Sequence, residues 1–230
     1  MEATVPNRKK PGETARQYAY RVLYERIMNL DMEPGMMLND DKLAEELSVS
    51  RTPVREAVLS LHEARLVEIL PQRSSRVSLI DIDTVEEGIF LRYHVELGIL
   101  KEAALRAGAA GLSALRENLR RQEEALARRR YSDFNHLDNA FHHQLYLMAG
   151  RPWTWEIVEK SVTHLDRLRR LQLNLGNELL APSLEEHKQF YAAVLSHTAC
   201  ADEALYDHIT GRYRASLKTL IERYPQFFNL

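Results

Sequence analysis

Residues 38–67, LNDDKLAEELSVSRTPVREAVLSLHEARLV, decide the fold of the N-terminal part of the chain. Leu43, Ala44 and Leu47 share one face of a short helix, and Ser48-Val49-Ser50 follows as a turn. Ser50 stands where a hydroxyl can accept a bond from a free first-turn N–H of a second helix. Pro53 is tolerated there because those N–H groups have no intrahelical partner. Val54, Ala57, Val58 and Leu61 then recur at helical spacing and face inward. Arg51, Thr52, Arg55 and Glu56 are left on the outer face, and Arg51 and Arg55, four apart, project from one side. Two angled helices with guanidinium and hydroxyl groups on the exposed start of the second make a helix-turn-helix DNA reader.

Residues 1–13, polar and carrying Lys9 and Lys10, read as a loose arm. A helix is expected from Thr14 to about Leu30, opened by the capping-box pair Thr14 and Gln17 and ended by Glu33-Pro34-Gly35. After the reader, Val67–Leu70 and Arg76–Ile80 flank a polar tip and read as a hairpin wing. Arg73 at the tip is the natural DNA contact and Arg76 a phosphate candidate; both also read as solvated turn charge. A winged helix-turn-helix domain therefore spans 14–80.

The run LAEELSVSRTPVREAVLSLHEARLVEI resembles the N-terminal domain of the GntR family of bacterial transcription regulators, with S-R-T-P-V-R-E-A as its most specific part. Two positions depart from the family pattern: Arg65 and Ser74 stand where the family usually has glycine. Ser74 puts the close approach of a glycine wing tip to DNA in doubt, and Arg65 gives up the easy left-handed helix cap.

Composition adds bounds. With 45% apolar and 28% charged residues and a net charge of −2, the chain reads as an ordinary globular protein. Residues 1–80 hold 12 Lys+Arg and 12 Asp+Glu, so any DNA affinity must come from where the charges point. The single cysteine, Cys200, leaves no internal disulfide and reads as a small helix residue. No apolar segment of the secretory or membrane-spanning kind is seen, and the expectation is a cytoplasmic protein.

Beyond a hinge at Ile80-Asp81-Ile82-Asp83 the patterning is helical throughout. Helices are expected at 83–108, 112–130, 132–149, 152–172, 183–197 and 201–223, with Asp83 (with Glu86) and Ser183 (with Glu186) as caps. The fold class is mainly α: the winged domain followed by an antiparallel bundle of six or seven helices over 81–230. Arg128-Arg129-Arg130 reads as solvated charge at a helix end.

Within the bundle, Asp138 and His142 are i, i+4 in LDNAFHHQL, side by side on one helix face and able to chelate one ion; His143 points about 100° away. His187 and His208 lie on two other helices, so three imidazoles and a carboxylate could converge. A histidine on an apolar face is more often a satisfied core residue, and from the residues alone that reading outweighs metal binding without closing it. His94, His136 and His164 read as surface or packing residues.

Residues 84–225 resemble the FCD ligand-binding domain of the FadR-type branch of GntR regulators, through LRYHVELGILKEAA, DNAFHHQLYLMAG, EEHKQFYAAV and ALYDHITGRY. The resemblance implies a metal held by Asp138, His142, His187 and His208. Zn²⁺ is the first expectation for such a donor set, with Ni²⁺ or Mn²⁺ as alternatives. It also implies a small carboxylate effector. Arg92 would fork onto it, unless it pairs with Glu96 instead, and Arg167 and Arg170 are further pocket cations. The expected whole is a homodimeric, non-enzymatic DNA-binding regulator, a repressor by family habit, reading a pseudo-palindromic operator. The alternatives are a constitutive DNA binder with a structural metal, and a metal-dependent hydrolase with a DNA-binding appendage.

Overall fold

The computed structural model describes residues 8–70, 74–198 and 202–230. Arg73 and Cys200 fall outside them. Helix α1 (Ala15–Met28) opens on the capping box, with Thr14 and Gln17 each accepting from the other's backbone N–H, and it buries Tyr18, Ala19, Val22, Leu23 and Ile27. Asn39 caps α2 (Asp40–Glu46) by accepting from the N–H groups of Asp41 and Lys42. Ser50 does occupy the cap position of α3 (Arg51–Glu63), but its hydroxyl makes no cap bond. The turn is closed instead by Ser48 in the left-handed region (φ 54), whose N–H donates to the Glu45 carbonyl while that of Val49 donates to Ala44.

The same motif ends α3. Arg65 takes the left-handed conformation (φ 59) despite its side chain, donating to the His62 carbonyl, and Leu66 donates to Leu61. The turn has a use: it aims the Arg65 carbonyl at the domain junction, where it accepts from Ser78 Oγ (2.8 Å) and lies 3.0 Å from His164 Nε2 of the second domain. The wing, β2 (Val67–Ile69) and β3 (Ser75–Val77), gains a third strand, β1 (Met37–Leu38), in the antiparallel order β1-β3-β2.

The second domain holds α4 (Ile82–Leu105), α5 (Ala109–Ala127), α6 (Tyr131–Met148), α7 (Pro152–Ser161), α8 (Thr163–Gln172), α9 (Asn177–Leu195) and α10 (Asp202–Arg223). Three expectations change. Asp81, not Asp83, caps α4, accepting from Thr84 N–H at 2.8 Å. The expected helix 152–172 breaks at Val162, where Ser161 Oγ turns back to the Ile157 carbonyl, a bond that bends helices. Helix α9 starts at Asn177 and runs through Pro182, so Ser183 is buried inside it and caps nothing. The bundle is also not purely helical: β4 (Ile80–Asp81) pairs in parallel with β5 (Phe228–Asn229), tying the chain's last residues to the hinge.

Two separate cores result. Tyr18, Leu23, Leu43, Val54, Leu61 and Val77 belong to one; Ile80, Leu100, Leu115, Phe134, Phe141, Leu168 and Phe190 belong to the other. Helix α8 packs on α4 in the bundle and also touches α1 of the N-terminal domain. No helix among the described residues is long and apolar enough to cross a membrane.

Candidate metal centre and nucleic-acid interface

Asp138 and His142 sit one turn apart on the buried face of α6, between Leu137, Phe141 and Leu145. His187 is buried on α9 beside Leu184 and Phe190, and His208 on α10 beside Leu205 and Ile209. Apolar stripes that drive three helices together thus carry four polar groups to one point. One ligand atom from each lies within 4.8 Å of all the others. His142 Nε2 and His208 Nε2 are 3.0 Å apart, and His187 Nε2 is 3.8 Å from Asp138 Oδ1.

A second ring of groups fixes the imidazoles. His142 Nδ1 lies 2.8 Å from Glu96 Oε2, His187 Nδ1 2.8 Å from Gln122 Oε1, and His208 Nδ1 2.8 Å from Glu186 Oε2. For His187 and His208 the contact is a hydrogen bond, which fits a proton on Nδ1 and leaves the Nε2 lone pair for the centre; His142 faces the Glu96 carboxylate by proximity alone. His187 Nε2 is buried with no partner of its own. Burial pushes His187 down to about 3 and His208 well below the usual histidine range, so both stay neutral at physiological pH. Burial alone would raise Asp138, but the Arg169 guanidinium first, with Arg212 on the other oxygen, holds it well below the usual carboxylate range. Neutral imidazoles aimed by outer acceptors, plus an ionised carboxylate, are what a divalent transition ion requires. The residues fit such a group.

A cleft lined by Arg92, Arg169, Gln172, His208, Arg212 and Tyr213 adjoins the cluster. Arg92 lines it, but its Nε donates to Glu96 Oε1 at 2.8 Å within the helix. Arg167 and Arg170, expected as pocket cations, are elsewhere. Arg167 is fully buried at the domain junction, its fork donating to the Ser78 carbonyl (2.7 Å), Ser78 Oγ (3.1 Å) and the Leu79 carbonyl (3.2 Å). Arg170 donates to Ser132 Oγ at 2.8 Å. The cations at the cleft are instead Arg169, whose Nη2 donates to Asp138 Oδ2, and Arg212, whose Nη1 lies 3.5 Å from Asp138 Oδ1. His143 faces away and stacks on Trp155.

At the other end, Arg51 and Arg55 stand 64% and 61% exposed at the start of α3, each leaning on a carboxylate of α2: Arg51 Nε to Asp41 Oδ1 at 2.7 Å, Arg55 Nε to Asp40 Oδ2 at 3.2 Å. Thr52 is exposed beside them. Arg76 pairs across the wing with Glu68 at 2.8 Å.

Comparison with known proteins matches residues 15–77 to the bacterial regulatory proteins of the gntR family and residues 87–211 to the FCD domain. The chain belongs to the GntR family. It is a GntR regulator of the FadR type, with an FCD domain after its winged helix-turn-helix. The HTH-type transcriptional repressor RspR of Escherichia coli K12 is 31% identical over 209 residues, 90% of each chain. An HTH-type regulator in an unstable DNA locus of Streptomyces ambofaciens is 36% identical over 80% of this chain and 76% of its own. The solved structure of E. coli McbR/YncC, at 21% identity, superposes with a TM-score of 0.73 over 92% of this chain and 99% of that one, a likeness of fold. The relatives are transcriptional regulators and not enzymes, so the hydrolase reading lapses.

For this GntR regulator the sequence reading missed Arg169, Arg212, Glu96, Gln122 and Glu186 as members of the centre. For Glu96 and Glu186 a signal existed. Glu96 sits four residues after Arg92, and Glu186 directly before His187 in the quoted FCD words. Arg212 had one too, four residues after His208 in the quoted word ALYDHITGRY; Arg169 carried none, because only the placement of α8 in the bundle brings it to Asp138.

Proposed function

We propose that this chain is a repressor that binds a pseudo-palindromic operator as a homodimer, and whose affinity changes when a small organic acid binds beside a divalent ion held by Asp138, His142, His187 and His208. Zn²⁺ is the first candidate for the ion, with Ni²⁺ or Mn²⁺ as alternatives. The observation that carries the reading is the convergence of four buried ligand atoms next to a cleft lined by guanidiniums. When bound, the ion would supply a Lewis-acidic anchor with open positions. The chain's own part is to orient the imidazoles through Glu96, Gln122 and Glu186, exclude bulk water and present Arg92, Arg169 and Arg212 to the acid. Arg51, Thr52 and Arg55 would enter the major groove, and Arg76 would reach phosphate by leaving Glu68; Arg73 is proposed for the wing tip.

Helix α8 supports a route between the sites. Its residue Arg169 touches the proposed metal centre, while Arg167, two residues earlier, and His164, five residues earlier, hold Arg65, Ser78, Leu79 and Asp81 at the junction with the DNA-binding domain. A shift of α8 on ligand binding would move both ends together, and operator affinity would follow from the acid's preference for one placement. The test is a titration of small carboxylic acids against labelled operator DNA, with metal-loaded and chelator-treated protein. The expected result is an acid that changes operator affinity by about tenfold, and only with the ion present. Affinity indifferent to every acid would favour the constitutive binder with a structural metal.

A further inference from the structure

The cleft beside the cluster holds about 20 Å³, room for a water and not for an organic acid. Two guanidiniums that line it, those of Arg169 and Arg212, are turned toward Asp138. Arg169 spans two anchors: Nη1 donates to Asn139 Oδ1 at 2.9 Å and Asp166 Oδ1 at 3.2 Å, while Nη2 donates to Asp138 Oδ2. Arg212 faces the other oxygen of the same carboxylate. Both oxygens of the proposed metal ligand are therefore occupied by cations. A divalent ion and a guanidinium compete for the same carboxylate, and the ion adds repulsion against the fork that remains.

We propose that Arg169 is a displaceable counter-ion, which neutralises Asp138 in the metal-free protein and leaves that carboxylate when a divalent ion takes it. The inference rests on the metal reading above. The geometry of the fork makes the exchange local. Nη1 keeps Asn139 and Asp166, so the side chain pivots about that anchor and needs no new home. Nη2, released, lines the cleft where the acid is proposed to bind, and the same movement makes room there. Asp138 thus never stands buried as an uncompensated charge, a state that is strongly destabilising. Metal loading and access for the acid become one event, ordered with the metal first.

The test uses Zn²⁺ alone, on the full chain. Zinc affinity is measured by competition with a chromophoric chelator for the wild type, Arg169→Ala and, in case the alanine variant does not fold, Arg169→Gln. A displaceable counter-ion predicts zinc binding about tenfold tighter in the variants, since the competitor is gone. If Arg169 is a fixed support that holds Asp138 in place, its loss weakens zinc binding or leaves it unchanged, and the proposal is overturned. A crystal structure of the zinc-loaded wild type is expected to show Nη2 off Asp138 with Nη1 still on Asp166; Arg169 remaining on Asp138 with zinc bound also overturns it. Should neither wild type nor variants bind zinc, the metal reading itself falls and takes this one with it. Equal tight binding by all would sink only the counter-ion role.

Discussion

At the residue scale, the proposed metal centre depends on tautomers. The Nδ1 atoms of His187 and His208 each have an acceptor oxygen at 2.8 Å, so neither imidazole can turn its lone pair away without losing that bond. Replacing His142 and His187 by alanine together should abolish metal retention: elemental analysis is expected to fall from about one ion per chain to none, as removal of two of four ligands leaves no closed site. Full metal content in that variant would refute the assignment. His164 supports a second prediction at this scale. Burial first, and then the Arg167 guanidinium, push it down to about 4 from 6.5. Its ring is neutral in the folded chain, with Nδ1 accepting from Asp81 N–H and Nε2 against the Arg65 carbonyl. Between these two values the unfolded chain binds a proton that the folded chain does not, so stability from this group is intact above 6.5 and falls as pH drops toward 4. From about pH 7 to about pH 5 the wild type should lose on the order of 1–2 kcal/mol more than His164→Gln, read by urea unfolding. Parallel losses in the two proteins would show that His164 is not the titrating group.

At the scale of elements, α3 presents its arginines but does not leave them idle. The carboxylates of Asp40 and Asp41 orient Arg55 and Arg51 in the free protein. In the proposed complex with DNA these exposed pairs, worth at most about 1 kcal/mol, would give way to base or phosphate contacts. Arg51→Ala and Arg55→Ala should each weaken operator binding by about 1–3 kcal/mol, and the pair should abolish specific binding while the helical circular dichroism is unchanged. Near-wild-type operator affinity in the double variant, measured by anisotropy at fixed salt, would refute the role of α3. The long helices could be read from the sequence because each carries an apolar stripe, and the helix-turn-helix because its outer face is so short and so specific. Strands β1 and β5 could not be read. Two residues have no period, and the partner of Phe228 lies at Ile80, at the far end of the bundle. The break at Val162 goes with a side-chain bond from Ser161 that no periodicity shows, and the passage of α9 through Pro182 runs against local propensity. In the centre, the i, i+4 pair on α6 was visible as a possibility, whereas the partners from α8 and α10 depend on how helices cross. Arg167, Arg169 and Arg170 look alike in sequence; only their partners in the fold separate a junction clamp on Ser78 and Leu79, a residue of the Asp138 cluster and a donor to Ser132.

At the scale of the whole molecule, two cores that share little are bridged by α8, which packs on α4 and touches α1, and by the short hinge at Ile80-Asp81. If the acid and the operator communicate, the coupling is a free energy that both sites see equally: whatever factor the acid imposes on operator affinity, the operator must impose on acid affinity. Arg167 is where that coupling is most exposed to test. Its fork satisfies the Ser78 and Leu79 carbonyls from inside the junction, it contacts neither the cluster nor the recognition face, and burial pushes it down to about 10. Arg167→Met keeps the length and bulk of the stem but leaves those carbonyls without their donor, at a cost of about 1–3 kcal/mol for each unsatisfied group. Zinc retention and operator binding in the absence of acid should both survive. The factor linking acid to operator, expected at about 5- to 150-fold in the wild type, should fall toward one in both directions of measurement. A variant that keeps the wild-type factor would place the coupling elsewhere, with the hinge at Ile80-Asp81 as the remaining covalently close route. A variant that loses the factor in one direction only would violate linkage, and would mean that acid and operator were not being compared between the same two states.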